Sequence, residues 1–321
     1  MMKAMVYRGG DLGNAFEVQE IKRPIPKEHQ ILVKVNYSSL NNVDYERFKR
    51  EKLSLFARAT FLFGGKGKIL GGEVSGQVEA VGEQVQNFKK GDKVFGQTLG
   101  FMAFGAWAEY ALLEEKQTVL KPSYLSYEEA AVLASASKTA IGALCTGKLQ
   151  SGQSVLIYGA SGGVGHLLVC YAKVLGASVT GVCSQRNLKM ATDLGCDRVI
   201  DYQHDDFEKA AGKYDLILAV NGHVDLKILK AHLKKEGILV GVGASYLPAS
   251  FLQSFFSKRV RYFSYFLKPR VAYYNEMQML VMKKEIKPFI DKTYPITEVS
   301  QAIQYVMNEH PQGKIALRMH F

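Results

Sequence analysis

Cysteine is scarce in this 321-residue chain, and its four cysteines form neither a C-x-x-C pair nor a finger-like Cys/His spacing. We therefore expect no disulfide framework and no structural zinc site. No stretch comes near the roughly 20 uninterrupted apolar residues that a membrane-spanning helix needs. The N-terminal MMKAMVYRGG also lacks the apolar centre of a signal peptide, so the expected location is the cytoplasm.

Acidic residues are also few. The chain has 30 Asp and Glu and 41 Lys and Arg, which gives a net charge of +11. Such a charge is compatible with nucleic acid, an anionic membrane surface or an anionic small molecule. The basic residues are dispersed, however, with isolated Lys-Lys doublets at 89–90, 234–235 and 283–284 and no arginine-rich tract. We expect an anionic small-molecule ligand and no nucleic acid.

The chain changes character along its length, which predicts an α/β protein of two domains. Residues 1–124 are glycine-rich, with short apolar runs such as ILVKV, typical of a small, partly closed β-domain that residues 267–321 complete. Residues 125–266 alternate apolar or β-branched runs with helical stretches. Six strands at this spacing are typical of a doubly wound parallel sheet.

One loop of the second domain, LIYGASGGVG at 156–165, matches two different signatures. Its GASGG reads as G-x-S-x-G, the turn that presents the nucleophilic serine of a hydrolase. Its A-x-G-x-x-G reads as the dinucleotide-binding signature, with alanine in place of the first glycine. Both signatures follow a strand and precede a helix, so local context does not distinguish them.

The dinucleotide interpretation explains more of the sequence. A hydrolase would need Asp215 or Asp225, followed by His310, as partners of the serine, and also an upstream oxyanion loop that this sequence lacks. The loop instead opens the strand–helix alternation, which is where the dinucleotide fold requires it. Gly162 would then permit close approach of a pyrophosphate, and Gly165 would let the helix pack tightly on the strand.

The phosphates of the cofactor would bind the amides at the start of the helix predicted over 163–176. Ser161 would be a phosphate-contacting hydroxyl. The predicted loop contacts are Ser161, Gly162, Gly163, Val164 and Gly165.

The end of the second strand predicts NADPH rather than NADH. An NAD site usually carries Asp or Glu there, whereas this strand ends at Ser184 and is followed by Gln185 and Arg186. Ser184 can donate a hydrogen bond to a 2′-phosphate, and Arg186 can make a charge-assisted contact.

Motifs along the whole chain resemble the medium-chain dehydrogenase/reductase superfamily. They are GGEVSGQVEAVG with KKGDKVFG, GAWAEY at 105–110, the GASGGVG loop, LGCDRVIDY at 194–202 and GKIAL at 313–317. The resemblance implies a GroES-like catalytic domain at 1–124, completed by 267–321, and a Rossmann NADPH-binding domain at 125–266.

The zinc ligands of that superfamily are missing at the matched positions. Gly72 stands where the motif G-H-E-x-x-G has its histidine, and Asn41, ahead of Asp44, replaces a cysteine. The stretch at 134–137, ASAS, offers no third ligand. A catalytic zinc is therefore not expected, and the chain resembles the zinc-independent quinone oxidoreductase branch, whose L-N-P-V-D motif LNNVD at 40–44 matches.

The resemblance implies further cofactor contacts. It places Thr139 near the nicotinamide and Tyr202 near the adenosine phosphate. Gly243, Phe266 and Leu267 would line the cofactor cleft, and Lys314 belongs to the same cofactor-binding set. A lysine that the branch often places on the 2′-phosphate is Asn187 here, which leaves Arg186 in that role.

Without a metal, the natural substrates delocalise the developing negative charge themselves, as quinones and α,β-unsaturated carbonyls do. We expect NADPH-dependent hydride transfer to such a substrate, with Asn41, Asp44 and Tyr45 as candidate catalytic residues. Asn41 would donate to the substrate oxygen, and Tyr45 or a water would supply the proton. Each of these residues also has a structural alternative: a turn residue for Asn41, a helix cap for Asp44 and a packing aromatic for Tyr45.

Other functions stay open on the sequence alone, namely a non-catalytic NADPH-binding regulatory or scaffold protein and a nucleic-acid-binding paralogue. The dense aromatic segment at 251–274 predicts a subunit interface, with a membrane-surface patch as the alternative. A homodimer is expected. Many members of the branch have a tyrosine two residues after the aspartate that Asp44 matches. This chain has Glu46 at that position.

Overall fold

The computed structural model describes residues 1–45, 48, 68–98, 105–205, 207–220, 224–243, 257–263, 272–283 and 286–321. They divide into two compact units, the first made of Met1–Ser135 with Lys287–Phe321 and the second of Ala136–Ile286. The divisions predicted from the sequence, at 124/125 and 266/267, lie earlier in the chain. Two helices account for the difference, because the helix at Tyr127–Ala131 packs in the first unit and that at Ala272–Lys283 in the second.

The strands are β1 (Met2–Tyr7), β2 (Phe16–Ile21), β3 (Gln30–Leu40), β4 (Lys68–Ile69), β5 (Glu73–Val81), β6 (Lys93–Thr98), β7 (Tyr110–Leu120), β8 (Ser154–Tyr158), β9 (Ser178–Cys183), β10 (Arg198–Asp201), β11 (Tyr214–Ala219), β12 (Leu233–Val242), β13 (Val260–Phe263), β14 (Ile290–Pro295) and β15 (Lys314–Arg318). The α-helices are α1 (Asn42–Tyr45), α2 (Tyr127–Ala131), α3 (Ala134–Gly147), α4 (Gly165–Val174), α5 (Leu188–Asp193), α6 (Phe207–Ala210), α7 (Leu226–Ala231), α8 (Ala272–Lys283) and α9 (Val299–Glu309).

The first unit is built on a partly closed sheet, as the glycine-rich strand pattern predicts. Its strands follow the order β14, β15, β3, β5, β6, β7, and β3 also pairs with β7, which closes β3, β5, β6 and β7 into a ring. Gly76 allows β5 to lie close to β3, because a Cβ there would overlap the Lys34 carbonyl oxygen and approach Val33 Cγ1 to 2.8 Å. Trp107, fully buried, lies in the core of this unit.

The C-terminal strand positions one candidate site in the first unit. Strand β15 runs antiparallel to β3, with Ile315 opposite Leu40. This register places Lys314 beside the end of β3 and the start of α1.

The second unit contains a six-stranded sheet in the order β10, β9, β8, β11, β12, β13, in which every pairing is parallel. In chain order this is 3-2-1-4-5-6, the arrangement of the doubly wound dinucleotide-binding fold. The predicted α/β fold with a Rossmann sheet is confirmed. Tyr158 lies opposite Val182 and Cys183 opposite Asp201, so the carboxyl ends of β8, β9 and β10 lie side by side.

Most of the aromatic segment at 251–274 lies outside the described residues. The part that is described has an ordinary structural role, because Tyr262 and Phe263 belong to β13, and Tyr273 and Tyr274 are buried on α8. The predicted subunit interface stays a prediction.

Candidate functional site

The glycine loop between β8 and α4 is held close to the sheet by its backbone. The amides of Gly159 and Ala160 both donate to the Val182 carbonyl at 3.0 Å, and the Gly162 amide donates to the Gly159 carbonyl at 3.2 Å. Gly159 has φ 92°, a left-handed conformation that glycine adopts without strain. A Cβ on Gly165 would overlap the Gly159 carbonyl oxygen and approach the Gly159 and Ala160 carbonyl carbons to 2.8 and 3.1 Å.

This loop fits a bound diphosphate. Helix α4 starts at Gly165 and has the positive end of its dipole there, while the His166 amide donates back to the Gly162 carbonyl at 3.0 Å. Among the described residues, the one contact that a Cβ on Gly162 would make is with the Gly159 carbonyl oxygen, at 3.5 Å, which leaves room for a ligand on that side. The helix is shorter than the predicted 163–176, because Gly163 and Val164 still belong to the turn.

The end of β9 adds polar groups beside this loop. Ser184 is half-buried and precedes a 3-10 turn, Gln185–Asn187, in which Arg186 is exposed. Asn187 is 6% exposed, and its side-chain amide donates to the hydroxyls of Ser161 (2.9 Å) and Ser184 (3.1 Å). The structure thus brings together Ser161 and Ser184, which the sequence analysis assigns to the cofactor.

Strand β10 ends at the same edge. The Tyr202 amide donates to the Cys183 carbonyl at 3.1 Å, and the Tyr202 ring, which is 47% exposed, lies 6.5 Å from that of Tyr158 between centroids. Burial raises the pKa of Asp201, but hydrogen bonds from the Gln203 amide, His204 and the Gln185 amide offset it and hold that pKa below its ordinary value. Asp201 therefore anchors the turn that carries Arg186.

The remaining predicted cofactor residues are dispersed. Thr139 is half-buried on α3, and Gly243 (φ 85°) follows β12, where its carbonyl accepts from the Tyr262 hydroxyl at 3.1 Å. Phe266 and Leu267 lie outside the described residues. Their cofactor contacts stay predictions.

The first unit contains a buried polar cluster around Glu73, a residue with no exposed surface. Its carboxylate accepts from Lys314 Nζ (3.0 Å), Asn41 Nδ2 (2.9 Å), the Ser135 amide (2.6 Å) and the Ser39 hydroxyl. Burial raises the pKa of Glu73, but the Lys314 ammonium and the hydrogen-bond donors outweigh it and hold that pKa below its ordinary value. Lys314, itself 5% exposed, also donates to Asn41 Oδ1 at 2.6 Å and to the Leu40 carbonyl at 3.2 Å.

The predicted catalytic residues lie next to this cluster. The Asn41 side chain is engaged on both sides, since Oδ1 accepts from Lys314 and Nδ2 donates to Glu73 and, at 3.3 Å, to Ser39. Asp44 is buried and accepts the Asn41 backbone amide at 2.9 Å, a contact that fits its structural alternative as a helix cap. Tyr45 packs half-buried against the core of the first unit. Their catalytic roles stay predictions.

Two family models match this chain, an alcohol dehydrogenase GroES-like domain over residues 27–123 and a zinc-binding dehydrogenase domain over residues 194–317. A chloroplast envelope quinone oxidoreductase homolog of Arabidopsis thaliana is 30% identical over 96% of this chain and 95% of its own length. The chain belongs to the quinone oxidoreductase branch of the medium-chain dehydrogenase/reductase family.

Other members of this family show the same likeness. The NADPH-dependent alkenal/one oxidoreductase of Arabidopsis thaliana chloroplasts is 30% identical over 98% of this chain and 79% of its own. The quinone oxidoreductase structure from Coxiella burnetii superposes with a TM-score of 0.84 at 28% identity, covering 99% of both chains. The family uses nicotinamide cofactors, so the chain is an oxidoreductase of the NAD(P)H-dependent type. Among the described residues, no helix is long and apolar enough to cross a membrane.

The zinc named in one of the matching family models does not fit the donors found here. The described residues contain no group of three or more His, Cys, Asp or Glu side chains that could hold a metal ion. The polar atoms nearest the matched positions are already used, because Glu73 and Asn41 both bind the Lys314 ammonium. An incoming dication would have to displace that ammonium.

Two features of this family member were missed by the sequence analysis. Asn187 was interpreted only as the loss of a lysine, and Glu73 only as part of a motif frame. Glu73 contacts Lys314, Asn41 and Ser135, and Asn187 contacts Ser161, all of them far away in the sequence, so spacing along the chain contains no signal for these contacts. Lys314, predicted to bind cofactor, lies in the Glu73 cluster, and its cofactor contact stays a prediction.

Proposed function

We propose that this protein is a zinc-independent, NADPH-dependent oxidoreductase that reduces quinones or α,β-unsaturated carbonyls. The observation that carries the proposal is the edge formed by β8 and β9, where a glycine loop tight enough for a diphosphate lies beside Ser184 and Arg186 with no carboxylate at the end of β9. The names of the relatives support the same substrate classes.

The bound nicotinamide would supply a hydride to the substrate. Addition to an enone or a quinone places negative charge on an oxygen that conjugation already stabilises, so hydrogen-bond donors suffice in place of a metal. On the protein side, the glycine loop would bind the diphosphate. Asn41, Asp44 and Tyr45 remain our candidates for donating to the oxygen and for supplying the proton.

Arg186→Ala is expected to weaken NADPH binding by about tenfold or more, the range of one charge-assisted hydrogen bond, and to leave NADH binding within about twofold. The reason is that only NADPH carries the 2′-phosphate. Isothermal titration calorimetry with both cofactors measures the effect.

Lys189→Ala is the matched control for the Arg186 variant. Lys189 lies three residues further along, carries the same charge and pairs with Asp193 at 2.7 Å on the surface. It should change neither affinity. Equal weakening of NADPH and NADH by Arg186→Ala would remove Arg186 from the 2′-phosphate site.

The proposed activity is tested by following NADPH oxidation at 340 nm with benzoquinones, naphthoquinones, alkenals and vinyl ketones. We expect turnover with at least one class and slower turnover with NADH. Tight NADPH binding without turnover across the panel would favour a non-catalytic NADPH-binding protein. Weak NADPH binding together with salt-dependent binding of nucleic acid would contradict the proposal altogether.

A homodimer in the cytoplasm completes the proposal. Sedimentation equilibrium of the purified chain, with and without NADPH, measures the subunit number directly. A monomer at micromolar concentration would contradict the predicted dimer and leave the proposed activity untouched.

A further inference from the structure

A single buried amide links the two serines of the proposed cofactor edge. Asn187 Nδ2 lies 2.9 Å from the Ser161 hydroxyl, in the loop after β8, and 3.1 Å from the Ser184 hydroxyl, at the end of β9. Asn187 itself is 6% exposed, whereas both serines are half-buried. The amide is therefore behind the two hydroxyls, and the hydroxyls are the groups that a ligand can reach.

The contacts with Asn187 decide what the serines can offer. A hydroxyl has one proton to donate and two lone pairs to accept with. A hydroxyl that accepts from an amide has used a lone pair on that side, so its own proton points to another acceptor. The Ser184 hydroxyl makes no capping hydrogen bond with a backbone amide of the turn that follows it, so its proton is not directed there. Both serines are thus prepared to donate, and paired donors of this kind suit an anion.

The position of the pair indicates which anion. It lies at the carboxyl ends of β8 and β9, beside the turn of Arg186, where the dinucleotide fold places the 2′ position of the adenosine ribose. The carboxylate at the end of the neighbouring strand β10, Asp201, accepts from the Gln203 and Gln185 amides and from His204. The diphosphate has its own site at the start of α4.

We infer that Asn187 is a positioning residue that directs the Ser161 and Ser184 hydroxyl protons toward the 2′-phosphate of NADPH. The inference rests on the proposed NADPH-dependent function and extends it. It assigns cofactor choice to an uncharged side chain that does not touch the cofactor, in addition to the exposed Arg186. It also gives Ser161 a contact with the 2′-phosphate rather than with the diphosphate.

The experiment measures dissociation constants of NADPH and NADH for three variants. Asn187→Leu keeps the branching and the number of side-chain heavy atoms and removes the donor, and it should weaken NADPH about tenfold while NADH stays within about twofold. Asn187→Asp has the same shape but only accepts, which draws both hydroxyl protons inward and adds a negative charge. It should weaken NADPH by about 100-fold.

The third variant, Ser161→Ala with Ser184→Ala, shows whether Asn187 acts through the serines. This double variant should lose most of the preference for NADPH over NADH. Adding Asn187→Leu to it should change the dissociation constant of NADPH by less than about twofold, because the effects of coupled residues are not additive. It also serves as the test if an Asn187 variant fails to fold.

Phosphorus NMR of bound NADPH measures the protonation of the 2′-phosphate. A purely structural role of Asn187 would not change that protonation. The free 2′-phosphate titrates near pH 6, and donors that favour its dianion lower that value. In the wild-type complex the 2′-phosphate should stay dianionic to lower pH than in the Asn187→Leu complex.

Three results would overturn the inference. They are equal weakening of both cofactors by Asn187→Leu, full NADPH preference in Asn187→Asp, and additive effects of Asn187→Leu and the serine double variant. Equal weakening would assign the serine pair to the diphosphate. A wild-type protein that binds neither cofactor would instead refute the proposed function itself, so the two failures are distinguishable.

Discussion

Gly165→Ala is expected to weaken the binding of NADPH and NADH alike by about 10- to 100-fold, because the loop to which we assign their shared diphosphate has to move. The new Cβ would overlap the Gly159 carbonyl oxygen and lie 2.8 Å from the carbon of that group, and these are backbone atoms that no rotamer change can clear. Such overpacking typically costs about 1–3 kcal/mol, so thermal stability should fall as well. Calorimetric titration and thermal denaturation measure the two effects.

Gly162→Ala separates cofactor binding from loop folding. A Cβ at position 162 would have only an ordinary contact of 3.5 Å with the Gly159 carbonyl oxygen, so stability should be unchanged. Binding should still fall, since the methyl group points into the space that we assign to the diphosphate. Wild-type cofactor affinity in both glycine variants would show that the loop has another function.

Lys314→Met is expected to destabilise the first unit by about 3–5 kcal/mol near neutral pH, because it leaves the Glu73 carboxylate buried without its counter-ion. Glu73 has no exposed surface, and Lys314 Nζ is 3.0 Å from its Oε1. Urea denaturation followed by circular dichroism gives the free energy of unfolding. Lys189→Met, which removes an exposed ion pair, should stay within about 0.5 kcal/mol of the wild type.

The pH dependence of the Lys314 variant should have the opposite sign to that of the wild type. In the wild type the pKa of Glu73 is below its ordinary value, so the contribution of Glu73 is present above the unfolded-state pKa and is lost as the pH falls through the folded-state pKa. Without the Lys314 ammonium, burial is opposed only by the hydrogen bonds from Ser39, Ser135 and Asn41, and we expect the pKa of Glu73 to rise. The variant should therefore gain stability on mild acidification, where the carboxyl group takes up a proton.

The double variant Glu73→Gln with Lys314→Met completes this test. It removes both charges together and should recover much of the lost stability, since replacing a buried pair costs far less than breaking it. If Lys314→Met were as stable as the wild type and lost stability on acidification in the same way, the ion pair would contribute nothing to folding.

The cofactor loop and the Rossmann sheet were predictable because their signals are local. A strand run, a glycine loop and an amphipathic stretch are neighbours along the chain, and Gly165 has to be glycine because of a contact only six residues away, with Gly159. The parallel sheet of the second unit was predictable from the regular alternation of strands and helices, and its strand order is a result of the structure. Ser184 and Arg186 were proposed for the same reason, as residues at the end of a recognisable strand, and their cofactor contacts stay predictions.

The contacts that join distant parts of the chain, such as Lys314 with Glu73 and Asn187 with Ser161, were not predictable from spacing. Lys314 reaches Glu73 across 241 positions, through the antiparallel register of β15 on β3. Sequence alone therefore determined the fold, the glycine loop and the missing carboxylate at the end of β9. Only the tertiary structure decided that Asn41 is held between Lys314 and Glu73 and that Asn187 holds two serines, since hydrogen bonds depend on distances that strand pairing sets and chain order does not.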